Sequence, residues 1–262
     1  MKQLSQRRTS YRGRRRRRTL ALFGRAVRFV VVCGLLWGGG YAFSRYLRES
    51  EHYRVKRIRV DGAWGLSPET IIEASRITKA DNILFLNPRE VAERVETLPR
   101  VKSCAVTRIF PDVVALSVVE RHPLAAIVVN NRIFQVDKTG VVIEEVMPGE
   151  GYVGPLIAFY PPLGTIALGE PVDRPALYKG LAVWQAFAAT QMAAEVEVSE
   201  LAVFHVNDIR MYCDELDFEV RWGRGSYEMQ ASRLDILWNE LDGRLPCQEY
   251  LDLRFGRDLA CK

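Results

Sequence analysis

The sequence has few of the residues that catalysis usually depends on. Its 262 residues include only three histidines, His52, His122 and His205, and none of them belongs to an H-E-x-x-H motif. The G-x-S-x-G nucleophile pattern and the Walker A phosphate loop are also absent. We therefore predict no enzymatic activity, no cofactor and no small-molecule substrate.

Cysteine is also scarce, and its spacing does not indicate a metal site. The five cysteines form no C-x-x-C pair and lie far apart: Cys33, Cys104, Cys213, Cys247 and Cys261. The last four allow three pairings, and the sequence does not choose among them. We expect these four to stay unpaired, mostly as small buried side chains.

Acidic residues are missing from the first 28 residues, which hold eleven Lys or Arg. Residues 29–262 hold the other 26 basic residues and all 32 acidic ones, a net charge of −6. The chain is therefore a basic tail on a mildly acidic body, and a basic, nucleic-acid-binding globular domain is not expected. A hydrophobic content of 48% and a charged content of 26% are typical of a globular protein and exclude wholesale disorder.

One long apolar run follows the tail. Residues 29–44 carry no charge, and the mostly apolar residues 20–27 extend the run to about 20 residues, the length that a spanning helix needs. We predict a basic cytoplasmic tail over 1–25 and a transmembrane signal-anchor helix over 26–47, which contacts the lipid bilayer. The five consecutive arginines would keep the N-terminus in the cytoplasm and place the rest outside it: Arg14, Arg15, Arg16, Arg17 and Arg18.

Other interpretations of this region remain open. The run could be a cleavable signal peptide, although the aromatic residues in 41–44 make a poor processing site. It could also be a buried core helix of a cytosolic protein. The arginine run could bind nucleic acid or anionic lipid instead of serving only as a topology signal.

Residues 53–123 follow a β-α-α-β-β order. Residues 53–60 alternate apolar and polar side chains, which predicts a strand that ends at Asp61-Gly62. Ser67-Pro68 and Asn87-Pro88 each combine a capping residue with proline at the first helical position, and so predict the starts of two helices. Two further strands are predicted on either side of Pro111, and the unit closes at Pro123.

Residues 124–262 are predicted to be rich in strands and to contain two helices. A strand meander comes first, followed by a Pro- and Gly-rich stretch over 148–171, a helix from about Asp173, three strands and a second helix that ends near Gly243. A strand over 249–255 and a two-residue turn at Gly256-Arg257 would then lead to a short last strand at or near a sheet edge. The fold class is therefore α+β.

Several segments together resemble the FtsQ/DivIB family of bacterial cell-division proteins. They are Val60-Asp61-Gly62, residues 98–102, the Arg108 to Pro111 corner, residues 119–125, residues 136–141 and residues 250–255. The resemblance covers about residues 20–262. It implies a POTRA domain over 53–123 and an FtsQ-type β domain over 124–262.

The resemblance also implies a function and partners. Such a protein is a single-pass scaffold of the divisome in the cytoplasmic (inner) membrane, with its C-terminal domains on the periplasmic side. It binds partners of the FtsB/FtsL type and helps to recruit and regulate septal peptidoglycan synthesis. The family binds its partner largely through the last strands, where an aromatic residue matters, and this residue corresponds to Phe255.

Physical chemistry supports the same segment as a binding surface. An edge strand offers unpaired N–H and C=O groups to a partner strand, so we expect β-strand addition at the C-terminal hairpin. The candidate partner-binding residues are Leu251, Leu253, Arg254, Phe255, Leu259 and Ala260. The alternative for Leu251, Leu253 and Phe255 is an ordinary place in the core. Glu120 and Arg121, between the two predicted domains, are expected to form structural charge pairs.

Two other functions compete with the scaffold. A POTRA-bearing assembly or translocation factor of the envelope would need a long series of barrel strands, which about 140 residues with two helices cannot supply. A signal-anchored envelope enzyme would need a catalytic constellation, which the sequence does not display.

Overall fold

A computed structural model describes residues 28–256 and 258–262. The predicted cytoplasmic tail over 1–25, with its five consecutive arginines, lies outside the described residues, as do the first two residues of the predicted span.

The first described element is helix α1, which covers residues 28–49. Within the part of the chain that the structure describes, no helix is both long enough and apolar enough to cross a membrane. The spanning helix over 26–47 therefore stays a prediction.

The chain forms two compact units, and each is built from several segments. The first contains the described residues up to Ile58 together with Thr78–Asn87 and Arg108–Val114. The second contains Arg59–Ile77, Pro88–Thr107 and Ala115–Lys262.

The first unit is held together by backbone hydrogen bonds between its segments. The Val55 N–H donates to the Asp81 carbonyl at 2.9 Å, and the Ile83 N–H donates to the Tyr53 carbonyl at 2.8 Å. The side chains of Val55 and Ile83 are buried, as is that of Val114. The segment after α1 and the 78–87 loop therefore pair as short extended chains around a small apolar core.

A three-stranded sheet with two short helices occupies residues 57–120. Its elements are β1 (Arg57–Asp61), α2 (Pro68–Ser75), α3 (Pro88–Val95), β2 (Val101–Ile109) and β3 (Val113–Glu120). The strand order is β1-β3-β2, so β3 is central. Its alternate side chains Val114, Leu116 and Val118 are buried, as the sequence pattern predicts.

Local sequence explains where α2 begins. The Ser67 hydroxyl accepts a hydrogen bond from the Thr70 N–H at 3.2 Å, which satisfies one of the free donors of the first turn. Pro68 follows at the first helical position, where the missing N–H costs nothing. The helix buries Ile71 and Ser75 on its inner side.

Gly62 permits the close approach of β1 to β3. Its φ is +86°, and a Cβ atom there would lie 2.2 Å from the carbonyl oxygen of Val118. Any side chain would therefore be strained by its backbone conformation and would also collide with the neighbouring strand. This explains why the strand that begins at Arg57 ends in Asp61-Gly62.

Glu120, the last residue of β3, organises the loop that precedes α2. Its buried carboxylate accepts hydrogen bonds from the N–H groups of Trp64 (2.9 Å), Gly65 (3.1 Å) and Leu66 (3.1 Å). Arg100 Nε lies 3.8 Å from the same carboxylate. This arrangement replaces the water that a buried carboxylate loses, so Glu120 has the structural role that the sequence indicates.

The second sheet has nine strands, which are the remaining strands of the described residues. They are β4 (Pro123–Val129), β5 (Arg132–Asp137), β6 (Val142–Val146), β7 (Leu156–Phe159), β8 (Val198–His205), β9 (Asp208–Cys213), β10 (Glu219–Trp222), β11 (Tyr250–Asp252) and β12 (Ala260–Cys261). Their spatial order is β12-β11-β10-β9-β8-β7-β4-β5-β6. Three neighbouring strand pairs are parallel: β4–β7, β7–β8 and β10–β11.

Two 14-residue helices contribute to the core of this sheet. They are α4 (Pro175–Ala188) and α5 (Tyr227–Glu240). Leu177 and Phe187 of α4 belong to the same apolar cluster as Leu234 of α5 and the buried strand residues Ile157 and Trp222. Burying such side chains stabilises the fold by about 1.5–3 kcal/mol each.

The structure differs from the sequence prediction at β7. We assigned no strand to the Pro- and Gly-rich stretch over 148–171, but Leu156–Phe159 pairs with β4 on one side and β8 on the other.

Residues 149–154 of this stretch have the pattern G-x-G-x-x-G, yet they lead into a strand. A phosphate-binding loop of this kind requires a helix after the glycines, so these residues do not form one.

Candidate partner-binding edge

Strand β12 forms one lateral edge of the nine-stranded sheet. It pairs antiparallel with β11, through Leu251↔Cys261 and Asp252↔Ala260. In the part of the chain that the structure describes, no strand pairs with its other side. The expectation of a last strand at a sheet edge agrees with this position.

The hydrogen bonds of the last residue show which groups this edge leaves open. The Lys262 N–H donates to the Tyr250 carbonyl at 3.1 Å, and the Tyr250 N–H donates to the Lys262 carbonyl at 3.3 Å. Residues in an antiparallel pair alternate between facing the partner strand and facing away from it. The N–H and C=O groups of Cys261 therefore point away from β11, toward the open side.

A disulfide bond links strand β12 to the segment just before β11. Cys247 and Cys261 are joined across a separation of 14 residues, with Cα atoms 5.2 Å apart. Our expectation that all four later cysteines are unpaired is therefore wrong for these two. Their spacing alone could not distinguish this pairing from the other possibilities.

The remaining two cysteines of the body are free thiols, as expected. Burial, with a smaller contribution from the Glu96 carboxylate, raises the pKa of Cys104 to about 11. Burial together with the Glu215 and Asp214 carboxylates raises the pKa of Cys213 to about 12. Both thiols are therefore protonated at neutral pH and are poor nucleophiles.

The hairpin is shorter than the alternating apolar residues suggest. We expected a strand over 249–255, but β11 ends at Asp252 and β12 begins at Ala260. Arg257 of the turn predicted at Gly256-Arg257 lies outside the described residues. Leu251 and Leu253 are fully buried and belong to the main apolar cluster. The structure thus assigns both side chains to the core, which was the alternative that the sequence left open.

Arg254 turns back toward the sheet. Its guanidinium Nη2 lies 2.6 Å from Asp252 Oδ2, and its Nη1 lies 3.5 Å from Asp208 Oδ1. Burial alone would raise the pKa of the Asp252 carboxyl, but the hydrogen bonds from Arg254 outweigh burial and hold this pKa below its usual range. The Arg254 side chain remains one-third exposed.

Phe255, Leu259 and Ala260 are the predicted binding residues that remain accessible. The Phe255 side chain is 59% exposed. Leu259 and Ala260 are half-buried, and Leu259 packs against the core cluster. The structure brings these three residues together on the loop and strand that form the open edge.

A groove lies beside residues 253–256. It has a volume of about 530 Å³, and its lining includes Met229, Arg233, Leu253 and Gly256. The Arg233 guanidinium donates hydrogen bonds to the carbonyls of Leu253 (3.1 Å) and Gly256. The exposed Met229 side chain gives the groove an apolar wall.

Sequence reasoning missed two residues that shape this surface. The guanidinium of Arg221 lies 3.9 Å from the centre of the Tyr250 ring, a cation–π contact between β10 and β11. Arg233 on α5 donates hydrogen bonds to the carbonyls of Leu253 and Gly256. The sequence indicated that Arg221 lies on the polar face of its strand, since it alternates with the apolar Val220 and Trp222. It could not identify the aromatic residue on the neighbouring strand that Arg221 contacts.

Comparison with known proteins agrees with this architecture. The family model described as "POTRA domain, FtsQ-type" matches residues 53–121. A protein of Anaeromyxobacter sp. (strain K) named "Cell division protein FtsQ" is 28% identical over 241 residues, 92% of this chain and 81% of that protein. A protein of the same name from Syntrophotalea carbinolica is 27% identical over 244 residues, 93% of this chain and 83% of that protein.

Over most of its length, this chain is similar to proteins of the FtsQ/DivIB family. A protein of Clostridium acetobutylicum named "Cell division protein DivIB" is 28% identical over 93 residues, which is 36% of this chain and 37% of that protein. In the structure, the three-stranded sheet with α2 and α3 corresponds to the matched POTRA domain. The nine-stranded sheet adds the β-rich part and carries the open edge.

Proposed function

We propose that this protein is a non-enzymatic scaffold of the bacterial cell-division machinery. It would be anchored by residues 26–47, with the arginine run at 14–18 in the cytoplasm and the domains at 53–123 and 124–262 on the outer side of the cytoplasmic membrane. There it would bind partners of the FtsB/FtsL type and so help to recruit and regulate septal peptidoglycan synthesis. The similarity to FtsQ and DivIB proteins supports this role.

The open side of β12 is the observation that carries the proposal for partner binding. The outward N–H and C=O groups of Cys261 offer a donor and an acceptor to an added strand. Leu259 lies two residues earlier, so an extension of the strand would turn its backbone groups in the same direction. An incoming strand of the partner could then continue the sheet beyond β12.

Phe255 supplies the side-chain anchor beside this strand. Aromatic residues often dominate the binding energy of an interface because they bury a large apolar area with little loss of conformational freedom. Removing such an anchor costs at least about 2 kcal/mol, which weakens binding roughly 30-fold. Arg254 is a weaker candidate, since it already pairs with Asp252.

The test measures the dissociation constant of the detergent-solubilised full chain with the purified FtsB–FtsL pair from the same cell. Phe255→Ala should weaken binding roughly 30-fold. Leu259→Pro removes a backbone donor on the open side, whereas Leu259→Ala removes only the side chain, so the proline variant should bind more weakly. Tyr178→Ala, at an exposed aromatic residue on α4, is the matched control and should leave the dissociation constant unchanged.

The possible results separate the role from the site. If Phe255→Ala and Leu259→Pro both bind like the unmodified chain, the edge is not the binding surface, although the scaffold role survives. If the unmodified, folded chain does not bind the pair at all, the scaffold role with these partners is wrong.

A further inference from the structure

The end of helix α1 is attached to the folded part of the first unit. The Asn82 side-chain amide donates hydrogen bonds to the carbonyls of Leu47 (2.7 Å) and Arg48 (3.2 Å). The uncharged run ends at Ser44, so Leu47 lies three residues, about 4.5 Å of helix rise, beyond it. The loop over 78–87 is therefore held within a few ångströms of the level at which the apolar part of α1 ends.

Three large apolar side chains are exposed in this unit. Phe85 is 47% exposed, Ile109 is 40% exposed and Phe110 is 56% exposed. Phe85 belongs to the 78–87 loop, and the other two lie at the tip between β2 and β3. The Arg108 guanidinium donates to the Leu84 carbonyl at 3.1 Å, which joins this tip to the loop. We call Phe85, Ile109 and Phe110 the basal surface.

The charge around the basal surface is opposite to that of the rest of the body. Residues 45–58, 78–87 and 108–114 hold seven Lys or Arg and four Asp or Glu, a net charge of +3. The second unit holds 19 basic and 28 acidic residues, a net charge of −9. A surface of anionic headgroups therefore attracts the first set of residues and repels the second.

The contact between Arg48 and Phe85 combines an exposed apolar side chain with a positive charge. The Arg48 guanidinium lies 4.7 Å from the centre of the Phe85 ring. A cation held against an aromatic ring suits the boundary between headgroups and acyl chains, where the ring meets apolar groups and the charge meets phosphates. Scattered exposed apolar residues are ordinary in proteins, but Phe85 contacts a cation at the end of an apolar helix, and Arg108 links the tip that carries Ile109 and Phe110 to the same loop.

We propose that the basal surface is a lipid-contact site for anionic phospholipid in the outer leaflet of the membrane that holds α1. Phe85, Ile109 and Phe110 enter the interfacial region, while Arg48 and neighbouring cations meet the phosphates. This inference rests on the membrane anchor of the proposed function. It adds a second attachment, which fixes the orientation of the first unit on the bilayer.

The test places the photocrosslinker p-benzoyl-phenylalanine at position 110 of the full chain, reconstituted in vesicles. One set of vesicles contains phosphatidylglycerol and phosphatidylethanolamine, and the other contains phosphatidylcholine alone. The control carries the crosslinker at position 255, where the native Phe255 is exposed to a similar extent, at 59%. Mass spectrometry counts the lipid adducts, and alkaline extraction reports whether the chain stays anchored.

In the vesicles with phosphatidylglycerol, the proposal expects lipid adducts at position 110 and few at position 255. At position 110, vesicles of phosphatidylcholine alone should give about five-fold fewer adducts, since one cation near an anionic surface contributes about 1 kcal/mol. Equal adducts at both positions, or only protein adducts at position 110, would overturn the lipid contact in a chain that stays anchored. Release of the chain by alkaline extraction would overturn the anchor of the proposed function and this inference with it.

Discussion

The carboxylate of Glu120 offers the sharpest test of the forces that hold the three-stranded sheet together. Glu120→Gln keeps the shape of the side chain but replaces one oxygen with an amide group that donates hydrogen bonds. The N–H groups of Trp64, Gly65 and Leu66 share the two oxygens, so at least one of them would then face another donor. Arg100 would also lose its charged neighbour.

The cost follows from the number and type of these bonds. A hydrogen bond to a charged group contributes about 1.5–3 kcal/mol, and a neutral one about 1 kcal/mol. Losing one charged bond and weakening two others should therefore cost about 3–4 kcal/mol. Local opening of residues 64–66 would become at least about 100-fold more frequent.

Amide hydrogen exchange of the full chain measures this opening directly. In Glu120→Gln the amides of Trp64, Gly65 and Leu66 should exchange at least about 100-fold faster than in the unmodified chain. Glu93→Gln is the matched control, because Glu93 is exposed and pairs only with a surface arginine, and it should change stability by less than about 0.5 kcal/mol. Exchange in Glu120→Gln within three-fold of the unmodified chain would refute the reasoning.

Two further predictions concern the disulfide and one buried carboxylate. Replacing Cys247 and Cys261 together with serine should lower the free energy of unfolding by about 3 kcal/mol, the loop-closure value for a separation of 14 residues, and should weaken FtsB/FtsL-type binding; unchanged denaturant unfolding would contradict this. Burial alone would raise the pKa of Asp137, but hydrogen bonds from Thr139 and Arg121 hold it below its usual range. Its contribution to stability is therefore present above about pH 4 and is lost as the pH falls through the lowered pKa, so thermal unfolding of Asp137→Asn should approach that of the unmodified chain only at acid pH. A destabilisation that does not depend on pH would argue against this ion pair.

Local chemistry allowed much of the fold to be predicted. Ser67-Pro68 marked the start of α2, and Asn87-Pro88 marked the start of α3. Strand β7 was missed because a strand buried between parallel neighbours shows no alternation, and four apolar residues among prolines and glycines carry no other signal.

The candidate site was predicted at the level of the strand but not of the side chains. Leu251, Leu253 and Phe255 alternate, which indicates one continuous strand with one inward face. In the structure β11 ends at Asp252, Phe255 is exposed and both leucines lie in the core. The alternation therefore continues in the sequence beyond the end of the strand. Cysteine spacing could not identify the disulfide.

The parallel strand pairs of the nine-stranded sheet also affect the order in which the strands can assemble. Each hairpin forms from neighbouring residues, whereas β10 must wait for β11, which follows all of α5 along the chain. Strand β12 pairs with β11 within one local hairpin, but it joins the nine-stranded sheet only through the pairing of β11 with β10. The open edge of the sheet is therefore completed only when the residues after α5 are in place. A partner strand added to β12 would thus depend on a pairing between segments that lie far apart along the chain.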